Sequence, residues 1–547
     1  MRLWERFQDG KAGEAFPRIT DERSIERFPQ RRAGMKILLI TPPIRTWAWP
    51  NIAPLGQEYV AAAARMDGHH IAVLDLNAER GGPWHGTEVD LLSWACRRVQ
   101  EAVLEVRPDV VGVGAIITQY GVVKALLQAA RTAWPTAQYV LGGGIASCLP
   151  AFMAERLPVD VVVQEEGEVT VSEVLHRLEE GSPLEGCRGT VARLPGGQIL
   201  DNGLRPSVKT REEGLDRLPW PLRVPWPEDQ VYKRNPVGHL NWQSKWTGGA
   251  PMAETPFSAS MIASRGCPYA ARACDFCYAA YLGTQYRLRS PAEVVDEMAW
   301  LKERYGVRYI HFLDDLLLTD YRWALAFAEE IISRKLTVPW GGTCRTNIVA
   351  DDVLRARREG RQSFLERCHE AGMRQAGYGI ESGSPAILKA IDKSGQTVEK
   401  MELAIAETKR ILGYADCSFM IGSPGETEAT VKETVDFCKR VGLQPEVFFF
   451  TTAYPGTTFW QLALDKGLIR KAVDGVRGPA ADDVIEEYFL RLGEQGEQVR
   501  TNFSDLPDDE IEGLARWAVS ELNPAGSRIR EPHSGDARAV GAAQATL

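Results

Sequence analysis

The sequence lacks any long hydrophobic run. Crossing a bilayer takes roughly 18 or more consecutive apolar residues, and no stretch of the 547 residues approaches that length. The first 34 residues are charged and contain no apolar core of the kind that a signal peptide carries. These absences predict a cytoplasmic protein with no membrane span.

Positive charge is also scarce. The chain has 64 Lys and Arg against 73 Asp and Glu, which gives a net charge of −9. No long Lys/Arg block appears, whereas proteins that bind a nucleic-acid backbone concentrate such residues on one surface. We therefore expect no nucleic-acid partner.

Cysteine is too sparse for a disulfide scaffold, since there are ten in 547 residues. Seven stand alone in the sequence and are predicted to be small buried residues: Cys96, Cys148, Cys187, Cys344, Cys368, Cys417 and Cys438. The other three, Cys267, Cys274 and Cys277, lie close together. In a reducing compartment, such a cluster indicates metal ligands or redox groups.

A regular alternation of apolar runs and amphipathic segments begins at Met35. It predicts strands over 36–41, 71–75, 109–115, 139–142 and 160–164 and helices over 54–66, 121–134 and 171–179. Five strands alternating with helices are typical of a doubly wound, Rossmann-like parallel sheet. Residues 205–256 interrupt this rhythm, and their richness in Pro and Trp predicts a linker. Its tryptophans are expected to pack between domains: Trp220, Trp226, Trp242 and Trp246.

A second α/β series starts near Phe257. Its predicted strands are 258–263, 307–313, 375–380, 415–421 and 446–450, with a helix over 397–412. Ser290-Pro-Ala-Glu293 is a capping box with Pro at the first helical position, so a helix should run from there to about Tyr305. The series predicts a full or partial β/α barrel with its active site at the carboxyl ends of the strands. A small helical region and a Gly/Ala/Arg-rich disordered tail follow.

The three clustered cysteines can hold three irons of a 4Fe–4S cluster and leave the fourth iron open to a small molecule. A structural zinc site would need a fourth ligand, and no Cys or His stands close by in the sequence. Three coincidentally buried cysteines would not explain the flanking Gly-Cys-Pro and Cys-x-Phe-Cys. The cluster is therefore the favoured interpretation.

Ser264-Arg-Gly-Cys267-Pro-Tyr and Cys274-Asp-Phe-Cys277 resemble the radical S-adenosylmethionine (SAM) superfamily, whose usual loop is Cys-x3-Cys-x2-Cys. Here six residues separate Cys267 from Cys274, three more than usual, so the loop must bulge. The resemblance implies that Cys267, Cys274 and Cys277 hold a 4Fe–4S cluster and that SAM binds its open iron.

The resemblance continues downstream in Thr343-Cys-Arg345, Gly379-Ile-Glu381-Ser382 and Met420-Ile-Gly422-Ser-Pro-Gly-Glu. It implies that Arg345 lies near the SAM carboxylate and that Glu381 binds the ribose or amino group. Ser382 and Gly422 are expected in the same SAM site. Each segment alone could be ordinary turn chemistry, but their order after the cysteine loop is more specific. Asp314-Asp315 is predicted to be structural.

The first sheet lacks Gly-x-Gly-x-x-Gly after its first strand, which argues against a dinucleotide-binding domain. Its strand ends resemble the cobalamin-binding domain that precedes some radical SAM barrels. Asp75-Leu-Asn77 stands where some cobalamin proteins have Asp-x-His, so no lower histidine ligand is expected. The resemblance implies cobalamin contacts from Pro43, Asp75, Asn77, Thr118, Gly142, Gly143 and Gly144. The alternative is a flavodoxin-like domain with a purely structural role.

The chain is thus similar to the cobalamin-binding radical SAM superfamily, in particular to its class B methyltransferases, over roughly residues 36–520. The expected organisation is an N-terminal extension (1–34), a cobalamin-binding domain (35–204), a linker (205–256), a radical SAM domain (257–475), a helical C-terminal region (476–523) and the tail (524–547).

The resemblance implies methyl transfer to an unactivated carbon, or to phosphorus, of a small-molecule biosynthetic intermediate, through a 5′-deoxyadenosyl radical and methylcobalamin. An electron donor such as flavodoxin or ferredoxin is the expected partner. Three alternatives stay open. They are a ring cyclase or oxidative enzyme of the anaerobic porphyrin cyclase type, a non-catalytic cobalamin carrier or sensor with a degenerate cysteine loop, and an RNA methylthiotransferase, which the acidic balance disfavours.

Overall fold

The computed structural model describes residues 34–44, 46, 53–80, 84, 86–207, 214–223, 258–270, 274–278, 285–393, 395–473, 481–492 and 501–523. The predicted extension up to residue 33, the predicted tail, and Trp226, Trp242 and Trp246 lie outside these residues.

The first sheet has seven strands in the order β2-β1-β3-β4-β5-β6-β7. They are β1 (Lys36–Thr41), β2 (His70–Asp75), β3 (Val110–Gly114), β4 (Gln138–Gly142), β5 (Val161–Val163), β6 (Thr190–Arg193) and β7 (Ile199–Asp201). The first five pair in parallel, which confirms the predicted sheet. The sequence does not predict β6 and β7, two short strands that extend the sheet in antiparallel pairing.

Both faces of this sheet are buried, because its strands alternate between two hydrophobic cores. Leu38 and Ile40 of β1 belong to one core, whereas Ile37 and Leu39 belong to the other. Such burial explains why the strands are nearly continuous apolar runs. The covering helices are α1 (Leu55–Met66), α2 (Leu76–Glu79), α3 (Glu88–Val106), α4 (Tyr120–Ala133), α5 (Gly144–Cys148), α6 (Pro150–Arg156) and α7 (Gly167–Glu180).

The second sheet has six parallel strands in the order β15-β14-β13-β12-β11-β8. They are β8 (Ser258–Met261), β11 (Tyr309–Phe312), β12 (Trp340–Cys344), β13 (Met373–Glu381), β14 (Asp416–Ile421) and β15 (Phe449–Phe450). Each strand lies beside the preceding one in the chain, so the sheet is a partial β/α barrel. A hairpin formed by β9 (Ser264–Arg265) and β10 (Arg287–Leu288) flanks the cysteine loop.

Helices cover the second sheet and form the C-terminal region. They are α8 (Pro291–Tyr305), α9 (Tyr321–Ser333), α10 (Thr346–Glu359), α11 (Phe364–Glu370), α12 (Pro385–Ala390), α13 (Val398–Leu412), α14 (Glu428–Val441), α15 (Thr458–Asp465), α16 (Leu468–Ala472), α17 (Ala481–Arg491) and α18 (Asp508–Leu522). One half of the predicted capping box is present, with the Ser290 hydroxyl accepting from the Glu293 N–H at 3.4 Å, whereas the Ser290 N–H donates to Asp216 at 2.9 Å. No helix among the described residues is long and apolar enough to cross a bilayer.

The C-terminal region packs back onto the first domain. Phe489 of α17 stacks on Trp460 and meets Phe152 of the first domain edge-on, each at 5.6–5.9 Å between ring centroids. Glu486 accepts from the Tyr120 hydroxyl at 2.8 Å and from Lys124 at 2.6 Å. Helix α17 therefore contacts both domains and helps to hold them together, in addition to the direct contacts between the domains.

Candidate functional site

The cysteine loop leaves the carboxyl end of β8 through the β9–β10 hairpin. Gly266 stands between Arg265 and Cys267 with φ +79°. A Cβ at this position would lie 2.7 Å from the Gln285 carbonyl oxygen, on the other arm of the hairpin. Only glycine combines this backbone conformation with this close approach, and it turns the chain into the loop.

Two tight turns shape the described parts of the loop. The Ala270 N–H donates to the Cys267 carbonyl, and the Cys277 N–H to the Cys274 carbonyl, both at 2.9 Å. The second turn is attached to the barrel at Asp275. Its N–H donates to the Ile391 carbonyl at 3.2 Å, and its carbonyl accepts from the Phe459 N–H at 3.0 Å. Residues 271–273, where the loop is longer than usual, lie outside the described part.

The side chains of all three cysteines are half-buried. The described ranges contain no group of three or more His, Cys, Asp or Glu close enough to hold a single metal ion. A zinc ion gathers its ligands within one tetrahedron, whereas the thiolates around a cluster of four irons stand farther apart. The donor set of three soft thiolates fits an iron–sulfur cluster.

Arg345 lies beside this loop, and its contact with the SAM carboxylate stays a prediction. Its guanidinium carbon is 3.8 Å from the centroid of the Tyr269 ring, and the Tyr269 hydroxyl accepts from Asn347 at 3.0 Å. Burial raises the pKa of the Cys267 thiol, Asp315 adds to the rise, and the charge of Arg345 opposes it. A fixed cation next to the first cysteine is suited to an anionic group bound at the loop.

Glu381 ends β13 in the left-handed region, with φ +65°, which is uncommon for a residue with a side chain. Its carboxylate turns back over Gly379, where an added Cβ would lie 2.5 Å from Oε1. Lys393 donates to the same Oε1 at 2.6 Å, and its ammonium lies 5.4 Å from the centroid of the Phe276 ring in the cysteine loop. Lys393 therefore connects the Glu381 carboxylate to the cysteine loop. The left-handed backbone conformation of Glu381 is a strain of the kind that concentrates at functional sites.

Ser382 and Gly422 have structural partners in this chain. The Ser382 hydroxyl is buried and lies 3.0 Å from that of Thr434 on α14. Gly422 has φ +90°, and a Cβ there would meet the Thr451 hydroxyl at 2.8 Å. These contacts fix the strand ends around Glu381, and a role of either residue in binding SAM stays a prediction.

Glu426 holds the turn after β14. Its Oε2 accepts from the backbone N–H groups of Gly422 at 2.7 Å and Ser423 at 2.9 Å. Burial raises the pKa of this carboxyl to about 7, although both donors favour the charged form. The pKa of Glu426 is higher in the folded chain than in the unfolded chain. The free energy of unfolding should therefore fall, by at most about 3 kcal/mol, as pH rises from about 4.5 to about 7.

Glu426→Gln should remove this dependence. As pH rises from 5 to 7, the thermal midpoint of the wild type should fall relative to that of Glu426→Gln. Above pH 8 the difference between the two midpoints should become constant. Glu428→Gln, which removes an exposed carboxylate two residues away, is the control. Parallel pH profiles for wild type and Glu426→Gln would contradict the raised pKa.

Asp314 is structural, as predicted. Both of its carboxylate oxygens accept from the Ala263 N–H at 3.1 Å, and Oδ1 also accepts from the Ser264 hydroxyl. The carboxylate thus supports the chain immediately before the hairpin.

The described residues leave the carboxyl edge of the first sheet open at the predicted glycines. Among them, a Cβ at Gly142 would meet nothing within 4 Å, and one at Gly144 would meet only the Ile116 side chain at 4.0 Å. Gly143 has φ +85° and lies against Ala115, whose carbonyl oxygen would be 2.6 Å from an added Cβ. Ile116 is 45% exposed although apolar. Bare backbone next to an exposed aliphatic side chain fits a large, partly apolar ligand such as cobalamin.

The other predicted cobalamin contacts shape the same edge. Asp75 caps α2 by accepting from the Ala78 N–H at 3.0 Å, and Asn77 accepts from the Ile44 N–H at 3.1 Å. Pro43 accepts from the buried Gln119 amide at 2.9 Å. Thr118 is half-buried in the short helical turn before α4. Asp75 and Asn77 are themselves buried, and their contact with cobalamin stays a prediction.

Sequence reasoning missed several residues that build these edges. Gln57 donates to the carbonyls of Ile40 at 3.1 Å and Gly114 at 3.0 Å, so it joins the ends of β1 and β3. Lys393 and Gln396 support the end of β13, the latter by donating to Ile380 at 3.0 Å. Only Gln57 gave a signal in the sequence, because it is a polar side chain on an otherwise apolar face of α1.

A doubly wound domain followed by a partial β/α barrel with a three-cysteine loop defines the class of two-domain, B12-binding radical SAM proteins. Residues 50–175 match the B12 binding domain family, and residues 261–438 match the Radical SAM superfamily. The chain therefore belongs to the cobalamin-binding radical SAM superfamily.

Its relatives include an uncharacterized methyltransferase of Pyrococcus horikoshii, 29% identical over 80% of this chain and 84% of that protein. The cytidylyl-2-hydroxyethylphosphonate methyltransferase of Streptomyces wedmorensis is 25% identical over 87% and 90%. The anaerobic magnesium-protoporphyrin IX monomethyl ester cyclase of Rubrivivax gelatinosus is also 25% identical, over 68% and 61%.

The fold is shared with the radical SAM methyltransferase TsrM from Kitasatospora setae, whose structure has cobalamin and a [4Fe-4S] cluster bound. The TM-score is 0.63 at 19% identity, over 90% of this chain and 92% of that one. The likeness covers both sheets, so the two domains occur together in a known architecture.

Proposed function

We propose that this protein is a cobalamin-dependent radical SAM methyltransferase that methylates an unactivated carbon, or phosphorus, of a small molecule. The observation that carries the proposal is the contact between the two candidate cofactor sites. Arg265, two residues before Cys267, is ion-paired with Glu168 at the start of α7, which follows the carboxyl end of β5. This contact brings the cysteine loop next to the predicted cobalamin edge and supports one continuous site.

Each residue set has a distinct role in this proposal. Cys267, Cys274 and Cys277 would hold the 4Fe–4S cluster, and the glycines from 142 to 144 would accept cobalamin. Arg345 would pair with the carboxylate of SAM, and Glu381 would bind its ribose or amino group. When bound, the cofactors supply radical formation and methyl transfer, while the protein orients them and excludes water.

The relatives favour methyl transfer over ring formation. The Pyrococcus and Streptomyces relatives, which match 80% and 87% of this chain, are both methyltransferases by name, and the second makes a nucleotide-linked phosphonate a specific candidate substrate. The cyclase matches a smaller share of both chains. We therefore keep cyclisation as the second candidate. Flavodoxin or ferredoxin is the proposed electron donor.

The experiment follows the label of methyl-labelled SAM. The full chain is reconstituted anaerobically with iron, sulfide and cobalamin and then given a reductant. We expect 5′-deoxyadenosine release and label in the protein-bound cobalamin fraction, then label in added cytidylyl-2-hydroxyethylphosphonate if the substrate is a nucleotide-linked phosphonate. Deoxyadenosine release with the label recovered only in unreacted SAM and in methionine would favour the cyclase type. Cobalamin binding without iron would favour a carrier or sensor.

A further inference from the structure

Two buried arginines join the cysteine loop to the first domain. Arg265 directs both terminal nitrogens at Glu168, with Nη1 3.2 Å from Oε2. Arg287 does the same to Glu166, with Nη1 3.1 Å from Oε2. Arg265 and Glu166 are also 3.6 Å apart, so the two pairs form one group. These are bidentate contacts, which fix orientation as well as distance.

The two arginines stand on opposite arms of the hairpin. Arg265 is on β9, immediately before the turn into the loop, and Arg287 is on β10, after it, directly opposite Arg265 in the strand register. Both ends of the cysteine loop are thus attached to the same short stretch of the first domain. One pair would leave the hairpin free to pivot, whereas two pairs define its orientation.

On the other side, the glutamates lie at the cobalamin edge. Glu166 stands at the N-cap position of α7, shortly after the end of β5. The neighbouring Glu165 N–H donates to the Ser147 hydroxyl at 2.8 Å, and that hydroxyl donates to the Gly143 carbonyl at 3.3 Å. A short path of direct contacts therefore runs from the predicted cobalamin glycines to the predicted cluster ligands.

Because the ion pairs are buried, they favour one arrangement of the two domains over others. Arg287 is 2%, Glu168 4% and Arg265 8% exposed. Desolvation offsets much of the attraction in a buried ion pair, so such pairs add little net stability. Loss of one partner leaves a buried charge, however, and this penalises any arrangement of the domains in which the partners do not meet.

We propose that Arg265 and Arg287, paired with Glu168 and Glu166, are positioning residues that set the distance and orientation of the cysteine loop relative to the cobalamin edge. The inference rests on the proposed function, since it concerns the spacing of its two metal cofactors. The four side chains act through the hairpin and the start of α7.

The test uses the full chain with Glu166→Gln and Glu168→Gln combined, which keeps the side-chain shapes and removes both charges. Glu173→Gln is the matched control. Glu173 lies on the same helix, is 3% exposed, and pairs with Arg177 at 2.7 Å and with Arg205, neither of which belongs to the hairpin.

Two measurements are made. Hydrogen exchange is followed over residues 264–270 and 285–290 before any cofactor is added. After reconstitution, pulsed EPR measures the magnetic interaction between the reduced cluster and the cobalt(II) of bound cobalamin, which depends on their distance. In the double variant we expect exchange about tenfold faster or more, a broadened or weaker interaction, and unchanged iron content. Glu173→Gln should match the wild type in both.

Wild-type exchange in the folded double variant would overturn the proposal, and so would faster exchange with an unchanged magnetic interaction. If the double variant fails to fold, Arg265→Lys with Arg287→Lys keeps the charges, removes the bidentate geometry, and is judged by the same criteria. A wild type that binds no iron or no cobalamin would count against the proposed function instead. The exchange measurement would then still decide whether the ion pairs hold the hairpin.

Discussion

Replacement of Cys267, Cys274 and Cys277 by alanine should reduce bound iron from about four per chain to near zero. Release of 5′-deoxyadenosine should be lost with it, because no open iron remains to bind SAM. The three side chains are half-buried on a loop, so the fold should survive. Iron and sulfide analysis of the reconstituted protein, with product chromatography, measures both effects.

Cys438→Ala is the matched control. Cys438 is a lone, fully buried cysteine on α14 within the core of the second domain. Its truncation should cost about 1 kcal/mol of stability and leave the iron content unchanged. Full iron retention in the triple variant would show that other residues hold the metal. Absence of iron from the wild type would support the carrier or sensor alternative.

Gly142→Leu should weaken cobalamin binding while leaving the fold intact. Among the described residues, a Cβ at Gly142 meets nothing within 4 Å, so the first carbon of the side chain has room. The leucine would project from the carboxyl end of β4 into the space that the proposed cobalamin occupies. We expect the dissociation constant to rise by about 100-fold or more, equivalent to about 2.8 kcal/mol, with stability changed by no more than about 0.5 kcal/mol.

Gly56→Leu provides the control for this substitution. Gly56 is exposed on α1, and a Cβ there also meets nothing within 4 Å. It should alter neither cobalamin binding nor stability appreciably. Optical titration with cobalamin and a thermal melt of each variant decide the question. Wild-type affinity in Gly142→Leu would mean that cobalamin binds away from the glycines of β4.

Most regular elements could be predicted because local patterns specify them. The apolar run of β1 matches the observed strand, Lys36–Thr41, residue for residue. The Ser290 cap and the left-handed Gly306 define the helix between them. Elements without a strong local pattern were missed. β6 and β7 are only four and three residues long, and the pairing of β6 with β5 and of β7 with β6 is a tertiary event.

The residues of the candidate sites also fall into two groups, those that a local sequence pattern predicts and those that it does not. The spacing of the cysteines and the glycines from 142 to 144 are visible in the sequence, because cluster ligation calls for cysteine and the φ of +85° at Gly143 favours glycine. Lys393, by contrast, reads as an ordinary surface lysine until the fold brings it to Glu381 at 2.6 Å. Glu166 and Glu168 read as the acidic start of a helix, and only the structure shows that both face arginines of the other domain.

The sequence by itself determined the two α/β units, the order in which they occur and the cysteine loop, since each depends on hydrophobic periodicity or on residues close together in the chain. The tertiary structure decided that the barrel is partial, that the C-terminal region packs onto the first domain, and that the two candidate cofactor sites meet. Those features depend on side chains that are distant in sequence, such as Arg265 and Glu168, 97 residues apart. Their encounter is set by how whole layers pack, which no local pattern encodes.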